Sequence, residues 1–404
     1  MLVFRRVFVA CAIALVGSAC SGAPPAAPAA QPTAAGAASS AAPSPAAATT
    51  PPSSPAPSGS PSAAASPAPS GSPSAAASPA ASAATPSTRL TVQFGGLGNI
   101  PDRALFAAQQ LGYFDEQNLD VQVTTFQSAS QMIPLMATGK LDAGNGGSSP
   151  AFFNALNQGI PLKIVSDVTV VKRPDPSIHG AQQIVVRKQL YDQGVTTLAD
   201  LKGHSIAINT PGSLNQEQLD DSLRAVGLSP DDVQVQTVGF NDMLTAVTNG
   251  GVDAAVALEP FVTLGQQQNI WVPIYDVADA TLGQTAEWLI YSDDFIKNNP
   301  EAGRRLILAY TKALRWLEDA EVKNEHRDQE IAILTANTSV KDPNLYAAMG
   351  RSYGETDARI NMDQLTRDQQ FYIQTGGQKQ LVDPSQIVDT SFGDYARQTL
   401  GPYQ

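Results

Sequence analysis

The motif GKLDA at 139–143 returns as GGVDA at 250–254, a shift of 111 residues. Its surroundings return in the same order. LTVQFG at 90–95 and SIAIN at 205–209 read as strands running into turns, and 103–111 and 214–226 carry helical spacing. VQVTT at 121–125 is echoed by VQVQT at 233–237. Gly139 and Gly250 are placed to end a helix in the left-handed conformation that glycine tolerates, and Leu141 and Val252 open the next buried strand. Strand and helix signals that alternate imply a mostly parallel sheet flanked by helices. Two copies of the unit imply an α/β chain with two such lobes.

The chain supplies residues for these lobes unevenly. Residues 1–88 hold 16 of the 30 prolines and two charged side chains, Arg5 and Arg6. A segment of Ala, Pro and Ser buries too little to offset the entropy of ordering it. The other 316 residues carry all 37 acidic side chains and 23 of the 25 basic ones, and their length suits two lobes rather than one core. An acidic body excludes nucleic acid as a partner, since that needs a basic footprint.

The N-terminus reads as an address. Arg5 and Arg6 precede an apolar run over 7–16, too short to span a bilayer, and then the small residues Gly17, Ser18 and Ala19. This is a secretory signal over 1–19. Its end resembles the lipobox of bacterial lipoproteins, which implies acylation of Cys20, although Gly17 stands where that pattern has Leu. Residues 20–88 form the lipid anchor and an Ala/Pro/Ser-rich tether, in which SPAPSGSPSAAA occurs at both 54–65 and 66–77. The two cysteines are Cys11 and Cys20, so the body has no disulfide, thiolate nucleophile or cysteine metal site.

In open parallel sheets ligands bind beyond the carboxyl ends of the strands. That places a site on four loops, 96–101 and 146–150 in the first copy, 210–213 and 259–261 in the second. Gly147, Ser148 and Ser149 precede a helix start, where unpaired amides and hydroxyls suit an anionic or acceptor-rich group. Ser149 before Pro150 is equally an N-cap arrangement. Thr210, Gly212 and Ser213 make a similar helix start with the same two readings. Glu259 either accepts from a ligand or ties the lobes together. Asn99 is a ligand contact or an ordinary turn residue. Trp288 walls the cleft or packs in a core.

No motif for catalysis is present. The sequence lacks GxSxG, HExxH and a phosphate loop ending in Gly-Lys-Ser/Thr. His179, His204 and His326 have no metal-ligand spacing, so neither a metal nor a cofactor is expected. The pairs Asp220-Asp221, Asp231-Asp232 and Asp293-Asp294 read as helix-start charges.

Several stretches resemble substrate-binding proteins of ABC importers for nitrate, sulfonate or taurine, a superfamily that also holds binders of thiamine pyrimidine precursors. They are LGYFDEQNLDVQV at 111–123, MATGKLDAGNGGSSPAFFNALNQGIPLKIV at 136–165, LADLKGHSIAINTPGS at 198–213, VTNGGVDAAVALEPF at 247–261 and SDDFIKNNPEAGRRLILAYTKALRWL at 292–317. The resemblance implies a two-lobed, type II periplasmic-binding-protein fold, with lobe 1 over 89–184 plus 287–404, lobe 2 over 185–286, and a hinge near 182–187 and 288–292. It implies that the loops at 147–149, 210–213 and Glu259 line the cleft. It implies a monomer that takes a small anionic solute or a pyrimidine-type nutrient, has a membrane permease as partner and needs no cofactor. Leu258 stands where the group often has Trp, and GGLGNIPDR at 95–103 departs from its usual first loop. Enzymes of this fold need cysteines that the body lacks, so the role expected is binding, not catalysis.

Overall fold

The computed structural model describes residues 88–404. Cys20, the signal and nearly all of the tether lie outside the described residues. Eleven strands are described: β1 (Leu90–Gly96), β2 (Leu119–Thr125), β3 (Ala143–Gly146), β4 (Leu162–Val170), β5 (Gln182–Arg187), β6 (Ser205–Ile208), β7 (Gln234–Thr237), β8 (Ala254–Leu258), β9 (Trp271–Asp276), β10 (Thr285–Ser292) and β11 (Tyr353–Gly354). They form two sheets, ordered β2-β1-β3-β10-β4-β11 and β7-β6-β8-β5-β9. β1 is parallel to β2 and β3, as β6 is to β7 and β8. Each sheet also takes an antiparallel strand in the same inner place, β10 between β3 and β4, and β5 between β8 and β9, and in the first sheet β11 pairs antiparallel with β4 at the edge.

The repeated motif has a visible physical cause. Gly139 and Gly250 sit at φ +67° and +71°, each just past a helix end. The aspartate that follows reaches the neighbouring strand. Asp142 Oδ2 accepts from Gln93 N at 2.7 Å, and Asp253 Oδ2 accepts from Ser205 N at 3.1 Å. Each aspartate's own amide donates back to the same residue's carbonyl. Leu141 and Val252 between them are buried at 3% and 1% exposure. The motif therefore sets the register of β3 on β1 and of β8 on β6.

Both faces of both sheets are covered. In β8, Ala254 and Val256 face one core and Ala255 and Ala257 the other, so a strand of the second lobe is apolar throughout, as parallel strands covered on two sides are. On the first sheet, the long helix Pro300–Val322 and the helix Arg103–Gln110 enclose Val92, Phe94 and Tyr310, while the helices Pro150–Asn157 and Met362–Gln374 enclose Phe153, Trp288 and Leu365 on the opposite face. Among the described residues, no helix is long and apolar enough to cross a membrane.

The expected hinge segments fall on strands: residues 182–187 are β5 and 288–292 belong to β10, and both strands are hydrogen-bonded on either side within one sheet. The chain crosses between the sheets at 171–181 and 277–284, a few residues ahead of the expected divisions at 184/185 and 286/287.

Asp253 also accepts from Arg187 Nη2 at 2.8 Å and from Ser205 Oγ at 3.1 Å. Burial acts to raise its carboxyl, but the bonds from Ser205 and His204 hold it below the ordinary aspartate value. Asp142 has fewer donors, and burial holds its carboxyl above that value. Urea unfolding should therefore give a loss of roughly 1.5–3 kcal/mol for Asp253→Ala and about 1 kcal/mol for Asp142→Ala. Equal losses would contradict the assignment.

Candidate functional site

The parallel strands of each sheet end on the side where the chain crosses, so their following loops gather there. The first loop is organised by Asp102, which is 1% exposed. Its Oδ2 accepts from Leu97 N at 2.5 Å and Gly98 N at 2.6 Å, and its Oδ1 accepts from Asn145 Nδ2 at 3.0 Å. Asn145 Oδ1 in turn accepts from the Tyr310 hydroxyl at 2.8 Å. Burial keeps the Asp102 carboxyl above its ordinary value in spite of these donors. Asn99 is exposed and makes no side-chain capping bond.

The serine loop is partly closed on its own chain. Ser149 Oγ accepts from Phe152 N at 3.3 Å, which is the N-cap role. Ser148 is 8% exposed, and its Oγ lies 2.9 Å from the Tyr372 hydroxyl of the helix Met362–Gln374. A Cβ on Gly147 would stand 2.9 Å from the Ala286 carbonyl, so this glycine admits the β10 backbone rather than leaving space for a ligand. In the second lobe Gly212, at φ +64°, donates its amide to Gln216 Oε1 at 2.7 Å, and Ser213 caps the helix Leu214–Ala225 by accepting from Gln216 N. Thr210 is exposed.

Glu259 takes the lobe-tying geometry. It is 6% exposed, and its Oε1 accepts from Gly350 N at 2.8 Å and from Thr263 Oγ1 at 2.8 Å. Gly350 lies in the segment leading to β11 of the first sheet, so one carboxylate joins the second lobe to the first. Trp288 is not at the cleft. It is 1% exposed, with its ring 5.5 Å from Phe152 and 6.0 Å from Phe153 in the core of the first lobe.

A buried group of carboxyls between the lobes was not foreseen. Glu217 on the helix Leu214–Ala225 and Asp368 on the helix Met362–Gln374 are 2% and 0% exposed. They lie within hydrogen-bonding reach of each other, and each keeps one oxygen with no donor. Asp368 Oδ1 accepts from Gln364 Nε2, and Ser148 lies near it. Arg367 approaches Glu217 at 3.4 Å and Asp221 at 3.7 Å from a half-exposed position. Burial first, and their mutual proximity second, push Glu217 well above the ordinary range, and burial pushes Asp368 up too. A carboxyl raised by burial and by a like neighbour keeps its proton to a higher pH than a free one. Burial also lifts Asp167, near Asp368, and Glu287, near Asp102, to about 7. Asp220 and Asp221, expected at a helix start, lie in its second turn, because the helix begins at Leu214. Asp231-Asp232 and Asp293-Asp294 do open their helical turns. Among the described residues, no three His, Cys, Asp or Glu side chains are grouped to hold a metal ion.

Comparison with known proteins agrees with the fold. The family described as NMT1/THI5 like matches residues 102–320, more than half of the chain. The putative aliphatic sulfonates-binding protein of Escherichia coli (strain K12) is 26% identical over 245 residues, covering 61% of this chain and 70% of that protein. The 4-amino-5-hydroxymethyl-2-methylpyrimidine phosphate synthase THI13 of Saccharomyces cerevisiae is 24% identical over 235 residues, covering 54% of this chain and 64% of the yeast protein, a little under two thirds. Among solved structures, the periplasmic aliphatic sulphonate binding protein SsuA from Escherichia coli superposes with a TM-score of 0.59 at 21% identity, covering 74% of this chain and 92% of that one. The two-lobed periplasmic-binding-protein fold is therefore shared.

The raised Glu217 carboxyl gives stability a pH dependence of definite sign. A carboxyl raised on folding binds its proton more tightly in the folded chain than in the unfolded one. Its contribution is complete near pH 4 and is lost as pH rises through the folded value. The melting temperature should thus fall between about pH 5 and about pH 8.5. Glu217→Gln, which removes the titrating group, should flatten that slope. The same slope in wild type and variant would refute the assignment to Glu217.

Proposed function

We propose that this chain, which belongs to the NMT1/THI5-like family, is the extracytoplasmic solute-binding component of an ABC importer. It captures a small solute between its lobes and presents the closed form to a membrane permease. The observation that carries this reading is the matched pair of sheets, each with its strand-end loops on the side where two chain crossings join them. Such a cleft closes on a ligand by hinge motion of otherwise rigid bodies. The role is binding rather than catalysis, and the protein acts as a monomer.

The solute is a small anion of the sulfonate, taurine or nitrate type. The similarity to the aliphatic sulfonates-binding protein supports this, as do the hydroxyls and helix starts at Ser148, Ser149, Thr210 and Ser213. The body's acidic excess provides no long-range attraction for an anion, so capture rests on local donors. One observation favours a second reading. The carboxyls of Glu217 and Asp368 beside Ser148 suit the amino group of a thiamine-pyrimidine precursor, and the yeast relative is named for that chemistry. Native mass spectrometry of the purified protein decides between them, since a co-purifying sulfonate and a co-purifying aminopyrimidine differ in mass. Recovery of neither, with no added compound shifting the melting temperature, would remove the solute-binding reading.

Acylation of Cys20 anchors the protein outside the cell membrane, and the tether over 20–88 holds the body clear of the surface. Two acyl chains are enough for stable anchoring. Cys20→Ser should release the protein from washed membranes. Retention equal to wild type would remove the anchor.

A further inference from the structure

The two helices that carry Glu217 and Asp368 belong to different lobes, and each is fixed to its own. Leu219 and Leu223 of the helix Leu214–Ala225 are buried with Ile206 and Val256 in the second lobe. Leu365 and Tyr372 of the helix Met362–Gln374 are buried with Phe153 and Trp288 in the first, and Asn154 Nδ2 donates to the Gly377 carbonyl just beyond that helix at 2.8 Å. Motion of one lobe against the other therefore acts on the face between these helices. They approach closely there: a Cβ on Gly212 would stand 3.1 Å from Thr375 Oγ1.

Among the described residues, the charges on this face are mostly acidic. Toward Glu217 its own helix presents Asp221, and the facing helix presents Asp368, the half-exposed Arg367 and the Tyr372 hydroxyl. Arg224 is turned to Asp220 and Asp221. Asp167 lies behind Asp368. The Tyr372 hydroxyl donates to Ser148 Oγ, and burial keeps it protonated. Glu217 Oε2 and Asp368 Oδ2 have no hydrogen-bond donor. The acids thus outnumber the guanidinium that reaches them.

We propose that this face is a proton-operated latch: the lobes stay seated on it while Glu217 or Asp368 is protonated, and they part when both are ionised. Seated, the two acids are desolvated and face each other. Parted, each meets water. Ionisation is therefore easier in the parted form, which gains on the seated form as pH rises and loses as pH falls. Burial first, and the facing acid second, hold Glu217 above its ordinary range, and burial raises Asp368, which agrees with that direction. Each pH unit by which seating raises one carboxyl multiplies the ratio of parted to seated forms about tenfold once that carboxyl is ionised. Where capture needs seated lobes, it is tighter in acid. That consequence rests on the solute-binding reading, whereas the latch itself does not.

The test uses the full chain with Cys11 and Cys20 changed to Ser and one spin label on each lobe, at the exposed positions Ala225→Cys and Lys379→Cys. The distance between labels is measured by pulsed paramagnetic resonance from about pH 5 to about pH 9, without solute, and circular dichroism checks that the chain stays folded. One distance should dominate at the acid end, and a longer one should gain on it by about tenfold or more toward the alkaline end. Glu217→Gln, neutral and of the same shape, should keep the acid-end distance throughout, and Asp368→Asn should do the same from the other side of the face. Arg367→Ala, which removes the nearby cation, should enlarge the parted fraction at the alkaline end. A distance that does not change with pH in the labelled parent would overturn the latch. So would a Glu217→Gln variant that follows the parent. Either result leaves the solute-binding reading standing, since no solute is used.

Discussion

The antiparallel strand inside each sheet is the constraint on which the rest of this molecule depends. β10 is hydrogen-bonded to β3 and β4, and β5 to β8 and β9. Each comes directly after a crossing from the other lobe. Both are held on two sides, and the chain crosses between the sheets only at 171–181 and 277–284. The crossings and the strand-end loops form one region because the same two strands fix both.

The lobes also meet through polar contacts that can be made and broken. Glu259 accepts from Gly350 N, Gln218 Nε2 donates to Gln284 Oε1 at 2.9 Å, and Glu217 faces Asp368. Contacts of this kind contribute little net free energy when made but are costly when left half-made. They define a seated arrangement without welding it. Ser148 bonds to Tyr372 on the helix that carries Asp368, so the serine loop and the inter-lobe seam meet on one helix.

What the sequence revealed was what short-range chemistry writes into it. The 111-residue echo was legible because a helix-ending Gly, a buried apolar residue and an aspartate act within a few positions of one another. The cap at Ser149 was legible for the same reason, whereas the second helix is capped by Ser213, three residues past the Thr210 expected. Trp288 was ambiguous, since TAEWLIYS alternates no more clearly than a strand lying at a cleft, and only its packing on Phe152 and Phe153 decides. The lobe divisions were drawn inside β5 and β10 because a strand that starts at a crossing carries the same apolar run as one that ends there. Glu217 and Asp368 left no signal at all. They are brought together from distant helices, and neither segment shows that its acid is buried.

The placement of β5 and β10 has a further consequence. In chain order, β1 to β4 build most of the first sheet, and the strand that follows them joins the second. β6 to β9 build most of the second sheet, and the strand that follows them joins the first. This is a reciprocal exchange of the fifth strand between two equivalent units. It has the geometry of a domain-swapped dimer fused end to end. Neither half is complete alone, since each would lack the strand beside its own β3 or β8. Cutting the chain between β5 and β6 would therefore produce two fragments that recover their middle strands only by reassociating.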